Sequence, residues 1–172
     1  GSFISFMATE DLTTVTITPN SGVYFLGRSN SSAWSVTINK GRSYVVAMDN
    51  STNSYDEDII GTKITSNKDI VVNSGTWSGS IRQSQSKKPR DMGVDQLIPI
   101  DKTGTDYLII EGEASSYGGV HAIVVATEDN TVVKVDGTTR DSDLDAGDFY
   151  AWDLDNNNNS SLDYIETTKP AL

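Results

Sequence analysis

Met7-Ala8-Thr9-Glu10-Asp11-Leu12-Thr13-Thr14-Val15-Thr16-Ile17 decides how this chain is read. From Thr13 the residues are mostly β-branched and alternate, so Val15 and Ile17 fall on one face and the threonines on the other. A strand with one apolar face needs a second layer to cover it. The first nine residues of the stretch then recur, without a gap, as Val125-Ala126-Thr127-Glu128-Asp129-Asn130-Thr131-Val132-Val133, an offset of 118. Lys40-Gly41-Arg42-Ser43-Tyr44 returns as Ala146-Gly147-Asp148-Phe149-Tyr150 at an offset of 106. Ile64-Thr65-Ser66-Asn67-Lys68-Asp69 returns as Ile165-Glu166-Thr167-Thr168-Lys169-Pro170 at 101. Three matches in order with a shrinking offset describe a duplication whose second copy has shorter loops.

Outward from that stretch, short β-rich runs bounded by Gly, Asn, Asp or Pro continue along the chain. In the first half they are Phe3–Ala8, Thr13–Thr18, Val23–Leu26, Trp34–Ile38, Ser43–Met48, Gly61–Thr65 and Asp69–Asn73. In the second they are Leu97–Ile100, Tyr107–Glu111, Val120–Ala126, Thr131–Val135, Phe149–Leu154 and Asp163–Glu166. Convincing helical periodicity is absent. The expected fold is all-β, a sandwich built from two related repeats of short antiparallel strands, with adjacent propeller-like blades as the alternative. The repeats are placed at 1–73 and 97–172, joined by a Ser/Gly/Lys-rich loop over 74–96, and are expected to bury their apolar faces against each other as one compact unit. Asp11 and Asp129 are expected to close their turns by accepting N–H groups two residues on. Gly1-Ser2 reads as a cloning remnant. Lys169-Pro170-Ala171-Leu172 falls where the first copy runs on into a strand, so the chain is expected to be a fragment of a longer protein, with neighbouring domains as partners.

Composition narrows the function. Of 172 residues, 13 are Lys or Arg and 24 Asp or Glu, a formal charge of −11. That charge excludes a duplex nucleic-acid binder, which needs cationic surface to displace counterions, and no apolar run is long enough for membrane insertion as a helix. Ser, Thr and Asn number 51, the signature of a polar, loop-rich surface. The absence of cysteine rules out disulfides, zinc-thiolate sites and Cys nucleophiles. One histidine, His121, and no Gly-x-Ser-x-Gly elbow leave no hydrolytic triad. No P-loop or dinucleotide fingerprint occurs. No catalytic residue and no cofactor is assigned.

Several runs carry a family resemblance: Ile64 through Gly79 (Ile-Thr-Ser-Asn-Lys-Asp-Ile-Val-Val-Asn-Ser-Gly-Thr-Trp-Ser-Gly), then Arg90-Asp91-Met92-Gly93-Val94-Asp95-Gln96-Leu97-Ile98-Pro99-Ile100, Gly104-Thr105-Asp106-Tyr107 and Val125 through Thr131. Over roughly Ile64–Lys169 the chain resembles the domain named after the N-terminal region of IgGFc-binding protein. It is more similar still to that domain's relatives in large secreted, adhesin-like or gliding-motility-associated surface proteins of Bacteroidota. Asp69 stands where that family more often has proline. The resemblance implies an extracellular or cell-surface β-rich module without catalytic residues. Immunoglobulin binding is not carried over, because no residues for it can be mapped.

Two candidate sites follow from the residues. Trp77, flanked by Ser and Gly, is suited to stack on a sugar or a partner side chain or to fold back as a lid. Arg82, Lys87, Lys88 and Arg90 put 4 of the 13 basic residues within nine positions beside it. Asp141, Asp143 and Asp145 have the alternate spacing of an oxygen-ligand calcium loop, but Ala146 and Trp152 stand where an EF-hand needs Gly and Glu. A solvated acidic turn and a non-EF calcium site are the two readings. Asn-rich loops at 49–58 and 153–163 occupy matching places in the copies. Trp34 and Trp152 are read as core aromatics, and His121 as a strand residue. The expected function is a non-catalytic extracellular module of an adhesin-like protein, a scaffold binding a glycan or surface protein through exposed loops. A carbohydrate-binding module accessory to a secreted glycosidase is the alternative.

Overall fold

A computed structural model describes residues 1–28, 31–49, 59–79, 91–110, 121–153 and 162–172. The described residues form thirteen strands and a single 3-10 turn at Ile100–Lys102. They divide into two units, Gly1–Ile98 and Pro99–Leu172.

In the first unit, β1 (Ser2–Ala8), β4 (Ser43–Ala47), β6 (Ile70–Gly79) and β7 (Asp91–Gln96) make an antiparallel sheet in the order β4-β1-β6-β7. Strands β2 (Thr13–Thr18), β3 (Trp34–Ile38) and β5 (Lys63–Ser66) make a second sheet, β3-β2-β5. The sheets meet face to face through Ile4, Phe6 and Val46 on one side and Val15 and Ile17 on the other, with Val23, Phe25 and Ile59 in the same core. Val15 and Ile17 are fully buried, as the alternation over Thr13–Thr18 requires.

In the second unit, β8 (Gly104–Ile110), β10 (Thr131–Val135), β11 (Thr138–Leu144) and β13 (Leu162–Ala171) order as β11-β10-β13-β8, and β9 (His121–Val125) pairs with β12 (Phe149–Asp153). Val124, Val133, Leu144 and Ile165 build its core. The fold is all-β and each unit is a sandwich of two sheets packed across an apolar layer, not a blade.

The duplication is written into the strand register. Met7 pairs with Ser43 and Val125 with Phe149. Thr13 pairs with Ile38 and Thr131 with Leu144. Val15 pairs with Ser66 and Val133 with Thr167, Ile17 with Ile64 and Val135 with Ile165. Each second-unit pair is the first-unit pair shifted by the sequence offsets.

The repeated Thr-Glu-Asp-x-Thr is where the chain crosses from one sheet to the other. Asp11 and Asp129 do not bond two residues on. Asp11 Oδ1 accepts from the Lys40 N–H at 3.0 Å and Asp129 Oδ1 from the Ala146 N–H at 3.0 Å, so each ties its own crossing to the next one. The third crossing is tied by lysine: Lys68 Nζ donates to the Asp11 carbonyl at 2.6 Å, and Lys169 Nζ donates to the Asp129 carbonyl. Thr13 and Thr131 are fully buried, with their hydroxyls donating to the Glu10 carbonyl at 2.7 Å and the Glu128 carbonyl at 2.6 Å. Gly41 and Gly147, at φ 72° and 96°, allow the second crossing to turn while their N–H groups reach Ala8 and Ala126.

Several expectations change. Residues 74–79 continue β6 and 91–96 form β7, so the stretch read as a joining loop is mostly sheet of the first unit; 80–90 lie outside the described residues. Asp141, Ser142, Asp143 and Leu144 belong to β11 rather than to a turn. Val23–Leu26 is not a strand: Phe25 makes one bridge, to Met48. Leu97–Ile100 is not a strand either, and leads into the 3-10 turn.

Removing either aspartate oxygen leaves one crossing N–H to water alone. Asp11→Ala and Asp129→Ala are each expected to lower stability in urea unfolding by about 1 kcal/mol. Asn at the same positions keeps the acceptor and should cost little. Unchanged midpoints for both alanine variants would show that the crossings hold without them.

Candidate functional site

Alternation along β1 sends Ile4 and Phe6 into the core and Phe3, Ser5 and Met7 outward. The register carries this outward set across the sheet. Phe3 lies beside Ala47 and Gly75, Ser5 beside Val45 and Asn73, Met7 beside Ser43 and Val71. On β7, Val94 faces Gly75 and Gln96 faces Asn73. Trp77, two residues after Gly75, joins the same face, and its N–H donates to the Gly1 carbonyl at 3.2 Å. None of these residues is charged, on a chain in which 22% are.

One end of this face is aromatic. The rings of Phe3 and Trp77 lie 4.8 Å apart with planes tilted by 33°. Phe3 is only 6% exposed although it points away from the core, because Trp77 covers it; Trp77 itself is 61% exposed. Gly75 makes the room. A Cβ there would meet Gly93 O at 2.4 Å, Phe3 Cζ at 3.0 Å and Val94 Cγ2 at 3.0 Å. The absent side chain lets the Phe3 ring lie against the sheet, and the ring in turn props Trp77. Val45, Val94 and Met92 extend the apolar surface, each more than half exposed.

Trp77 is therefore a strand residue, not a loop residue, and it covers Phe3 while keeping most of its own surface open. Arg82, Lys87, Lys88 and Arg90 lie outside the described residues, in the connection from β6 to β7. The 49–58 and 153–163 loops also lie largely outside them.

The acidic candidates sit elsewhere, in the second unit. Asp141 Oδ1 accepts from the Asp143 N–H at 3.1 Å, and the Asp145 N–H donates to Asp148 Oδ2 at 3.2 Å. Among the described residues no three His, Cys, Asp or Glu side chains converge as a metal site. Asp106, on β8, has its carboxylate held below the ordinary range by the hydroxyls of Thr105 and Tyr164, both at 2.6 Å. The same bond to Asp106 raises the Tyr164 phenol. Both oxygens of that carboxylate are thus engaged within the sheet. Trp152 packs against the second core and donates its indole N–H to the fully buried Asp163 at 2.8 Å. Trp34 packs against the first core, edge-on to Phe25 at 5.4 Å and beneath Arg28.

The two outer faces of the first unit contrast. On the β3-β2-β5 sheet, Thr14 bonds Thr37 at 3.1 Å and Thr16 bonds Ser35 at 2.8 Å, a hydroxyl ladder suited to water. The β4-β1-β6-β7 sheet carries a partly aromatic face whose described side chains are uncharged.

The family model described as IgGFc binding protein matches residues 1–172, the whole chain. The chain belongs to this family. No curated protein and no solved structure matches it. The family is one of binding modules rather than a known family of enzymes. Among the described residues no helix is long and apolar enough to cross a membrane.

The outward shelf of this family member rests on Gly75. Gly75→Ala should destabilise the chain by about 1–3 kcal/mol, the range for overpacking. Gly93→Ala should be neutral, because a methyl group there meets nothing within 4 Å. Thermal unfolding of the two variants checks the contrast, and equal midpoints would refute the Gly75 packing.

Proposed function

We propose that the chain is a non-catalytic, extracellular module of a secreted or cell-surface adhesin-like protein, a rigid β scaffold that binds a partner through the outward face around Trp77. The observation that carries this is a tryptophan 61% exposed on a sheet, propped by Phe3 at 4.8 Å. Large rigid aromatics that keep most of their area open, and that lose little side-chain entropy on contact, dominate interface energetics. Membership of a family of binding modules supports the same reading. Arg82, Lys87, Lys88 and Arg90 follow Trp77 in sequence and are proposed as a cationic rim that steers an anionic partner to the face.

The four cations would act on association rate and salt dependence, whereas Trp77 would act on residence time. Trp77→Ala measured against immobilised glycan and protein arrays should lose binding at least about tenfold, the cost of truncating an aromatic anchor. Its melting point should fall modestly, since only the stack with Phe3, worth about 1 kcal/mol, is lost. Retained binding by this variant would refute the reading, and a collapse of the fold would assign Trp77 to packing alone.

A further inference from the structure

We infer that the outer edge of β5, in the first unit, takes up a strand of a partner polypeptide, an extended segment with an aspartate and alternate apolar residues in the pattern of β8. The two units differ at this place. Ile165 and Glu166 of β13 lie between β10 on one side and β8 on the other. β5 repeats that part of β13, with Ile64 in the place of Ile165, but among the described strands it pairs with β2 alone. The Asn67 N–H donates to the Thr14 carbonyl at 3.2 Å, so alternation along the ladder turns the N–H and C=O groups of Ile64 and Ser66 away from β2. Their counterparts in the second unit are turned to β8: Ile165 lies opposite Tyr107, and the Thr167 hydroxyl donates to the Thr105 carbonyl at 3.3 Å. Thr62, at the start of the same edge, holds a buried hydroxyl without a partner, which buried polar groups rarely lack; its counterpart Asp163 lies opposite Ile109 of β8.

Charge selects the occupant. In the second unit the Tyr164 hydroxyl reaches across to Asp106 of β8 at 2.6 Å, and Asp106 lies directly opposite Glu166, a like charge. In the first unit Lys63 stands in the place of Tyr164 and Thr65 in the place of Glu166, both exposed. A strand with aspartate in the Asp106 place would therefore meet an ammonium group and no opposing carboxylate, a better match than β8 has in its own sheet. Tyr107 and Ile109 of β8 pack against the second core, and the matching residues of the incoming strand would lie beside Ile64, which packs against the first. Main-chain bonds then supply affinity, and the alternate side chains set register and choice of partner. A four-residue edge that carries a lysine resists indiscriminate pairing while it favours an acidic strand.

A capped peptide of the β8 sequence, Gly104–Ile110, serves as the probe. Titrated into the chain in a calorimeter, it should bind. Ser66→Pro removes an outward N–H and leaves the ladder to β2 intact, and it should weaken binding about tenfold, the worth of one hydrogen bond. Lys63→Glu should also weaken binding, and more at about 0.05 M salt than at about 0.5 M. Lys63 is exposed, so that variant should keep its melting point. A peptide carrying Asp106→Lys should reverse the preference and bind the Lys63→Glu chain more tightly than the native one. Trp77→Ala, on the other sheet, should leave peptide binding unchanged, which separates this edge from the Trp77 face. A peptide that does not bind overturns the inference, as does binding that neither Ser66→Pro nor Lys63→Glu weakens. Dimers of the chain that Ser66→Pro abolishes would make β8 of a second copy the occupant and overturn a separate partner.

Discussion

Each unit depends on how its chain passes between two sheets without leaving backbone groups unpaired. A strand satisfies its N–H and C=O groups along its ladder, but at a crossing the ladder ends. Here three crossings lie side by side in the first unit, and the repeated motif ties them together. Asp11 holds the second crossing by the Lys40 N–H, Lys68 holds the first by the Asp11 carbonyl, and the Thr9 hydroxyl reaches the Asp69 carbonyl at 2.7 Å. The second unit repeats this with Asp129, Lys169 and Thr127, the last donating to the Pro170 carbonyl. The apolar layer supplies most of the folding free energy, as it does in any sandwich. The clamp decides which strands face each other across it.

This explains why the duplication was so legible. Residues that bind a neighbouring crossing must keep both their identity and their spacing, so Thr-Glu-Asp-x-Thr, the following glycine and the late lysine persist in both copies. The partners of Asp11 were not legible: a turn of its own and a bond to a residue 29 positions on look alike in one dimension. Leu12 and Asn130 occupy the same left-handed position, at φ 55° and 56°. Asn suits it and Leu does not, so the first copy gives up a little backbone energy that its sequence does not announce.

The strands that escaped the sequence reading are edge strands. β7 (Asp91–Gln96) and β11 (Thr138–Leu144) each pair on one side only, and most of the described side chains on both are exposed. With no face fully buried they need no apolar alternation, and their aspartates read as turn signals. β11 also departs from regular register against β10. Trp77 misled for a related reason. Ser, Gly and Thr around it suggest a loop, but Gly75 is there to admit a ring from the next strand. A glycine whose role is a cross-strand contact cannot be told from a turn glycine until the pairing of Phe3 with Gly75 is known.

The exposed aromatic face and the clamp that fixes the strand order lie at opposite ends of β6. That strand begins at Ile70, beside the clamp, and Trp77 lies seven residues on, roughly 23 Å along an extended chain. The crossing end is rich in bonds between backbone and charged side chains. The other end carries the exposed rings. A substitution at Trp77 thus removes exposed aromatic surface without reaching the bonds that set the strand order, and the two are far enough apart for their effects to add. The scaffold can therefore hold its strand order while the far end of one strand, through a glycine and two aromatics, presents an exposed ring.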